Sequence, residues 1–398
     1  MKNNYDVIVV GGGPAGIGAA LGAAEKGADT LLIEQYGFLG GMWTAGLVNP
    51  VFDHHNKKGI LSRLIYRLKQ ENSFGGFIDS CFQIETMKYV LDDMILEAGV
   101  KPLYHTICSL PIMEGDRVVG VEVENKNGRV SFYAHTVIDC TGDGDVAARA
   151  GADFQVGRTE DGKCQAMTLM FQLGNLEFAQ LGCYELYERM KKAIEEQHSD
   201  YRIVYDRPYI IQLPGVRQAV VQLTHIRGQN GLDAFDLTQA EIEGRRQVRE
   251  TIKLFRQIPE LKDAELIATA PHIGVRDSRR ILGEYTLTKE DCMEGRQFYD
   301  GIVTATFNMD VHNPEDIQQT CYDTKPYQIP YRCLIPKGKE GLLVAGRCIS
   351  GSFEAQSSYR VTGNCIAMGE AAGNAAALAK QHGCGTREVP LDELLKKD

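Results

Sequence analysis

YDVIVVGGGPAGIGAALGAAEKGADTLLIE, residues Tyr5 to Glu34, decides how the rest of the chain is read. A short apolar run, Tyr5 to Val10, suits a strand buried on both faces. Pro14 to Lys26 is an Ala/Gly-rich helix able to lie close on a sheet, and Gly27 supplies its stop. A second apolar run ends in an acid, which completes a βαβ unit. Within it, each glycine of Gly11-x-Gly13-x-x-Gly16 has its own role. Gly11 makes the tight turn, Gly13 lets a pyrophosphate approach the backbone, and Gly16 allows close helix–strand contact. The turn and first helical residues, Gly11, Gly13, Pro14, Ala15 and Gly16, are expected around the phosphates, with the free N–H groups of the helix start, Pro14 having none, turned to them. Glu34, with Gln35 beside it, stands where a carboxylate accepts hydrogen bonds from ribose hydroxyls. A lone glycine fingerprint is weak. Here it follows a strand, opens a helix and has its acid about twenty residues on, so a dinucleotide site is expected.

The chain has 398 residues, more than one hydrophobic core usually serves, so two domains are expected. An apolar fraction of 43% and a charged fraction of 24% are those of an ordinary globular protein. A net charge of −10 argues against a nucleic-acid or anionic-membrane surface, while a local arginine cluster could still bind a small anion. The N-terminus enters a strand at once without a signal-type apolar region, and no apolar stretch approaches the roughly twenty residues that cross a bilayer. Eleven cysteines without a C-x-x-C pair or metal-type spacing read as reduced thiols in a cytoplasmic protein. No metal site, iron–sulfur ligation or redox-active disulfide is expected.

After Glu34, the segment QYGFLGGMWTAGLVNP is too glycine-rich for a strand and too apolar for a plain surface loop. Here the chain resembles the FAD-dependent oxidoreductases built on the glutathione-reductase-type flavin domain, and within them the succinate dehydrogenase and fumarate reductase type. The resemblance implies that Gly40, Gly41 and Met42 run under the flavin. Relatives of that type often link flavin covalently through a histidine in this segment. None occurs between Gly40 and Pro50, so non-covalent FAD is expected. Asp53, His54 and His55 read as a polar loop before a helix, with a pocket-lining role for His55 the alternative. Helices are expected at Ile60 to Gln70 and Glu85 to Ala98, with FGGF (74 to 77) a loop between them. The following strand, VKPLYHT, is implied by the resemblance to pass the adenine, with backbone near Ile107 in contact. RVVGVEVE and RVSFYA around Asn127-Gly128 form a β-meander. TVIDCTGDGD resembles the family element that turns beneath the dinucleotide, which adds Thr141, Gly142 and Asp143.

From about Phe154 the texture changes to short strands (AMTLMFQLGNL, YIIQLPG, QAVVQLTHI) and charged helices at Phe178 to Gln197 and Leu237 to Gln257. Glu241/Arg245 and Arg246/Glu250 sit at i,i+4 on the latter, a solvated face. No second glycine fingerprint follows a strand, which counts against a pyridine-nucleotide domain. TAPHIGVRDSRRILGEYTL brings His272, Arg276, Arg279 and Arg280 together. Either the arginines meet carboxylates on a surface bend, or, as the family's G-x-R-x-x-R-R segment implies, they clamp an anion at the edge of the active site.

The C-terminal GLLVAGRCISGSFEAQSSYRVTGNCIAMGEAAGNAAALA restores the first domain. Many relatives place a ribityl-binding aspartate after Gly346; Arg347 stands there instead. Ser358-Tyr-Arg-Val-Thr-Gly-Asn364 resembles the fumarate reductase element with a carboxylate-binding arginine, which falls on Arg360, while that family's histidine is matched by Gln356. Gly363, Asn364 and Cys365 would then open a helix whose dipole faces the flavin.

The expectation is a two-domain α/β flavoenzyme: a discontinuous Rossmann-type FAD-binding domain, residues 1–155 and 325–398, with a central parallel sheet and β-meander, and an inserted α+β cap, 156–324. Its activity would be hydride transfer between flavin N5 and a carbon of a small polar, anionic substrate, with Arg276 and Arg360 orienting it and His272 moving a proton. Oxidation of a sugar, polyol or amine, or an electron-relay subunit, are the alternatives. The electron partner is open, and a homo-oligomer is compatible with the sequence.

Overall fold

The structure is a computed structural model and describes residues 2–76, 79–176 and 181–396. Its centre is a seven-stranded sheet. Strand β1, Asn4–Val10, lies parallel to β2, Thr30–Ile33, with Val7 opposite Thr30 and Val10 opposite Ile33. Between them runs helix α1, Pro14–Glu25, with Pro14 at its first turn, where the missing N–H costs nothing. The helix ends on Lys26, and Gly27 takes a φ of +87° as the chain turns back. Lys101–Leu103 extends the sheet beyond β2, also in parallel.

On the other side of β1 lies the strand Gly128–Asp139, which joins two segments that the sequence reading separated. Its first half pairs antiparallel with Arg117–Asn125, which in turn pairs with Ile107–Glu114; this is the meander. Its last residues, Val137 to Asp139, pair in parallel with Leu342–Val344. RVSFYA and TVID are therefore one twelve-residue strand. Burial follows: the first half alternates toward solvent, and the last four residues are buried throughout.

The C-terminal helix Thr362–His382 packs along α1 at backbone contact. A Cβ on Gly369 would stand 1.9 Å from the Ala15 carbonyl oxygen, and one on Gly18 would stand 2.1 Å from that of Ile366. Small residues on both helices allow this approach, which is why both segments read as Ala/Gly-rich.

A second, antiparallel sheet has the order Tyr209–Gln212, Ala219–Gln222, Phe171–Gly174, Glu265–Thr269. Its accompanying helices are Cys183–Glu196 and Ala234–Phe255, the latter capped by Asp233, whose carboxylate accepts from Phe235 and Asp236 N–H. The expected helix start at Phe178 falls in 177–180, outside the described residues, as does Phe77 of FGGF; Phe74–Gly75 is a short strand paired with Cys81–Phe82, not loop. The pairing Arg246/Glu250 is replaced by Arg246/Glu243 at 2.6 Å, one helical step closer, while Glu241/Arg245 forms at 3.0 Å. Glu241 does more than face solvent, since it also accepts from Ile273 N–H at 2.7 Å. Phe154–Val156 pairs with Arg279–Ile281, so the chain leaves the first sheet and returns toward it through one two-stranded ribbon. Among the described residues, no helix is long and apolar enough to cross a membrane.

Candidate active site

Because β1, β2, Gly128–Asp139 and Leu342–Val344 run parallel, their C-terminal ends form one row, where ligands of open α/β sheets bind. The row brings together Gly11, Glu34, Thr141 and Gly346, which are more than 300 residues apart at the extremes. Gly11 has a φ of +101°, and a Cβ there would meet the Cys140 carbonyl at 2.5 Å. At Gly13 the added carbon would meet only Gly41 Cα, at 3.8 Å, so the surface over the loop is left open. The segment after β2 closes onto this loop: Gly40 N–H donates to the Gly12 carbonyl at 2.8 Å, and Gly41–Trp43 forms a 3-10 turn with Met42 partly exposed.

Glu34 is buried, and each carboxylate oxygen is held by backbone: Gly12 N–H donates at 2.6 Å and Tyr36 N–H at 2.9 Å. Burial raises its pKa, against the pull of those N–H groups. It thus ties the glycine turn to the end of β2, with further lone pairs to offer; Gln35 is exposed beside it. Thr106 N–H donates to the Glu34 carbonyl, while Ile107, one residue on, begins the meander with its side chain 59% exposed.

At Thr141 the hydroxyl and N–H both donate to Asp139, at 2.7 and 3.0 Å, and Ala147 N–H donates to the same carboxylate at 2.9 Å. Asp139 is a structural anchor that the sequence reading missed, although an acid closing an apolar strand was its signal. Gly142, with a φ of +79°, has its Cβ position 3.0 Å from Arg347 Nη2. Asp143 accepts from Arg347 at 2.8 Å and Ser278 at 2.6 Å. The cation in place of the usual aspartate is therefore neutralised by Asp143 across the groove.

The arginine cluster divides. Arg279 pairs with Asp145 at 2.9 Å, and Arg280 with Asp277 at 2.7 Å plus the carbonyls of Gly157 and Gly351. These two serve structure. Arg276 instead donates to the Ala166 carbonyl at 2.6 Å and Thr168 Oγ1 at 2.7 Å, without a carboxylate partner of its own among the described residues. Burial first, then the neighbouring Arg360, pushes its pKa down to about 10. Arg360 donates to the Asp310 carbonyl at 3.1 Å and Gln165 Oε1 at 3.4 Å, and burial lowers its pKa too. His272 does not join them. Its ring lies by Tyr36, centroids 6.0 Å apart, and its charged neighbours are Glu241, Asp143 and Arg347.

The start of the C-terminal helix, Thr362–His382, has its first amides occupied. The N–H of Gly363 donates to the Phe52 carbonyl at 3.2 Å, and those of Asn364 and Cys365 to Val361 at 3.0 Å each, so these amides are not free to face a ligand. What remains is side chain. Among the described residues, the Asn364 amide, Thr362 Oγ1, Gln356 Nε2 and Arg360 Nε are buried without hydrogen-bond partners. Such atoms are costly unless a ligand completes them. The open surface over Gly13 fits the close approach of a dinucleotide's pyrophosphate.

A sequence profile of FAD-dependent oxidoreductases matches residues 6–397. The chain belongs to that family. FAD is thus the cofactor of this enzyme, and its mixed α/β fold, with a parallel-rich central sheet and additional antiparallel sheets, is that of Rossmann-type flavoproteins. Thiamine thiazole synthase of Aeropyrum pernix is 35% identical over 161 residues, 37% of this chain and 58% of the relative. Digeranylgeranylglycerophospholipid reductase of Methanoculleus marisnigri is 31% identical over 180 residues, 41% of this chain and 45% of the relative. The flavoprotein therefore spans about half the length of these curated relatives. A geranylgeranyl bacteriochlorophyll reductase-like protein of Thermoplasma acidophilum superimposes with a TM-score of 0.51 at 17% identity, over 96% of this chain and 79% of its own, a likeness of fold.

Proposed function

We propose that this flavoprotein transfers a hydride to or from a carbon of a small polar anion, reducing an activated C=C or oxidising a C–H bond. The observation that carries the reading is the pair Arg276 and Arg360. Arg279, Arg280 and Arg347 each have a carboxylate of their own. Arg276 and Arg360 have in common only Asp310, and its carboxylate is already engaged by His312 and by the Gln319 amide. The carboxylates that face the pair, Asp310 and, on the Arg360 side, Asp277, already serve His312, Gln319 and Arg280, which leaves a place for an anion.

Bound FAD supplies the two-electron chemistry, exchanging a hydride at N5. The chain's own residues do the rest. Arg360 offers a planar fork with an unpaired Nε to a carboxylate or developing enolate, and Arg276, protonated at neutral pH, holds the second charge. Gln356 and Asn364 add unpaired amide groups to the same region. Gly11, Gly13, Glu34 and the Gly40–Met42 turn hold the dinucleotide without a covalent link. Residues 1–155 and 325–398 form the FAD-binding domain in this reading, and 156–324 cover the substrate.

Arg360→Lys keeps the charge and loses the fork. Stopped-flow mixing with small carboxylates should show flavin reduction or reoxidation slowed at least about tenfold with FAD occupancy intact. Arg360→Met should be slower still. Loss of FAD or misfolding in both variants would make Arg360 a structural residue and remove the main support for an anionic substrate.

A further inference from the structure

Beside the arginine pair lies a chain of groups that the reaction as proposed does not use. His225, three residues beyond the strand Ala219–Gln222, and His312, at the end of Met309–His312, are both 3% exposed. Their rings meet, His225 Nε2 to His312 Nδ1 at 2.9 Å. On the far side of His225, Nδ1 lies 3.3 Å from the Leu223 carbonyl; on the far side of His312, Nε2 lies 3.3 Å from Asp310 Oδ2. Tyr205 stacks on His225 with centroids 4.0 Å apart, and its hydroxyl donates to Gln319, whose amide reaches Asp310. The Gln247 amide clamps the His225 backbone on both sides, and Gln165 accepts from His312 N–H at 3.0 Å while also bonding Arg360. The rings are thus fixed in place.

The three gaps set a proton count. Leu223 oxygen and the Asp310 carboxylate are acceptors at the two ends, with two imidazoles between them. Filling all three gaps needs three protons on the four ring nitrogens, and two neutral imidazoles carry two. The chain is one proton short. Asp310 and the Leu223 carbonyl favour the third proton, while burial opposes it, and so do the cations Arg276, Arg227 and Arg360 that face the two rings. Together, burial first, they push His312 down to about 3 and His225 well below the usual range.

We propose that His225 and His312 are a one-proton store linked to the anion site: an anion bound at Arg276 and Arg360 cancels their repulsion, and the pair takes up the missing proton. This rests on the anionic-substrate reading. The added proton completes the hydrogen-bonded run from Leu223 to Asp310, whose carbonyl binds Arg360, so charge and proton arrive together in one buried region. The bound state has the higher pKa. Anion affinity is therefore greatest below the free pair's pKa, and falls by up to about tenfold per pH unit between the free and bound values.

Sulfate and oxalate, which do not titrate near neutral pH, are suitable probes for the purified FAD-loaded protein. Binding is read from the flavin absorption spectrum, and proton uptake from an indicator dye in weak buffer, between pH 5.5 and 8 as chosen conditions of roughly physiological range. The expected result is uptake approaching one proton per anion at the acid end. In His312→Gln and in Asp310→Asn that uptake should vanish while the anion still binds. Binding with no uptake in the native protein overturns the proton store and leaves the anionic site standing, and this measurement needs no variant. Undiminished uptake in a folded, FAD-loaded His312→Gln overturns it as well. Absence of any anion binding overturns both the store and the reading beneath it.

Discussion

Glu34→Ala tests how the glycine turn and the cofactor are coupled. The native carboxylate fills two roles: it accepts backbone N–H groups from Gly12 and Tyr36, and it has lone pairs left for a ribose. Removing it leaves two buried donors without partners, at about 1–3 kcal/mol each, and deletes a charge-assisted ribose contact of about 1.5–3 kcal/mol. These terms divide between states. The orphaned donors destabilise the apoprotein, by about 2–4 kcal/mol once partial relaxation is allowed, while the ribose term weakens FAD binding by roughly ten- to hundredfold. Glu34→Gln keeps one acceptor but turns an NH2 toward the other N–H, so it should lie between. FAD titration of deflavinated protein, with urea unfolding of the same samples, reads the two terms separately. FAD affinity within twofold of native in Glu34→Ala would show that the ribose is held elsewhere, and unchanged apoprotein stability would refute the role of Gly12 and Tyr36.

Two further outcomes are expected. Acid precipitation should release all the flavin to the supernatant, because Gly40 to Pro50 offers no histidine for a covalent link; yellow colour retained on the denatured polypeptide would contradict this. Gly369→Val should prevent α1 and the C-terminal helix from closing, since even its Cβ would stand 1.9 Å from the Ala15 carbonyl; overpacking of this kind costs about 1–3 kcal/mol or more, and soluble, FAD-loaded variant protein of native stability would show that the helices can separate freely.

The flavin-binding part was legible because its signals are local. A run of apolar residues, three glycines and an acid lie within thirty residues, and each element's period or breaker shows in the letters. The strand Gly128–Asp139 changes from half-exposed to fully buried along its length, so a reading by alternation splits it in two. The middle of the chain was harder for a different reason. LTHI follows the strand Ala219–Gln222, which ends before the expected run through Ile226, and MDVH is an ordinary short strand; nothing in either announces that His225 and His312 meet at 2.9 Å, 87 residues apart. Periodicity reports which face a residue takes on its own element, and says nothing of which two elements share a face. The same limit applied to the arginines: the cluster was visible, but its division into paired Arg279 and Arg280 and carboxylate-free Arg276 depends on where Asp145 and Asp277 fall in space.

The helix at Thr362 shows how a motif can name the right place for an incomplete reason. Ser-Tyr-Arg-Val-Thr-Gly-Asn pointed to a helix start whose dipole faces the flavin. The amides of Gly363, Asn364 and Cys365 are taken by Phe52 and Val361, because Gly363 packs so close to the 52–53 backbone that a Cβ would stand 2.4 Å from the Phe52 carbonyl. Glycine at this position therefore serves a backbone contact. The side chains of Asn364, Thr362 and Arg360 carry buried atoms without hydrogen-bond partners, and these are the groups we propose for a ligand. In the proposed reading, that arrangement adds a permanent cation, Arg360, and neutral hydrogen-bonding side chains to the helix dipole. It also places them next to the two histidines, through Gln165, which contacts both His312 and Arg360. In the proposal above, an anion at Arg360 acts on the imidazole pair through its charge, with Gln165 joining Arg360 to the His312 backbone N–H, a coupling that backbone amides, which cannot titrate, would not provide.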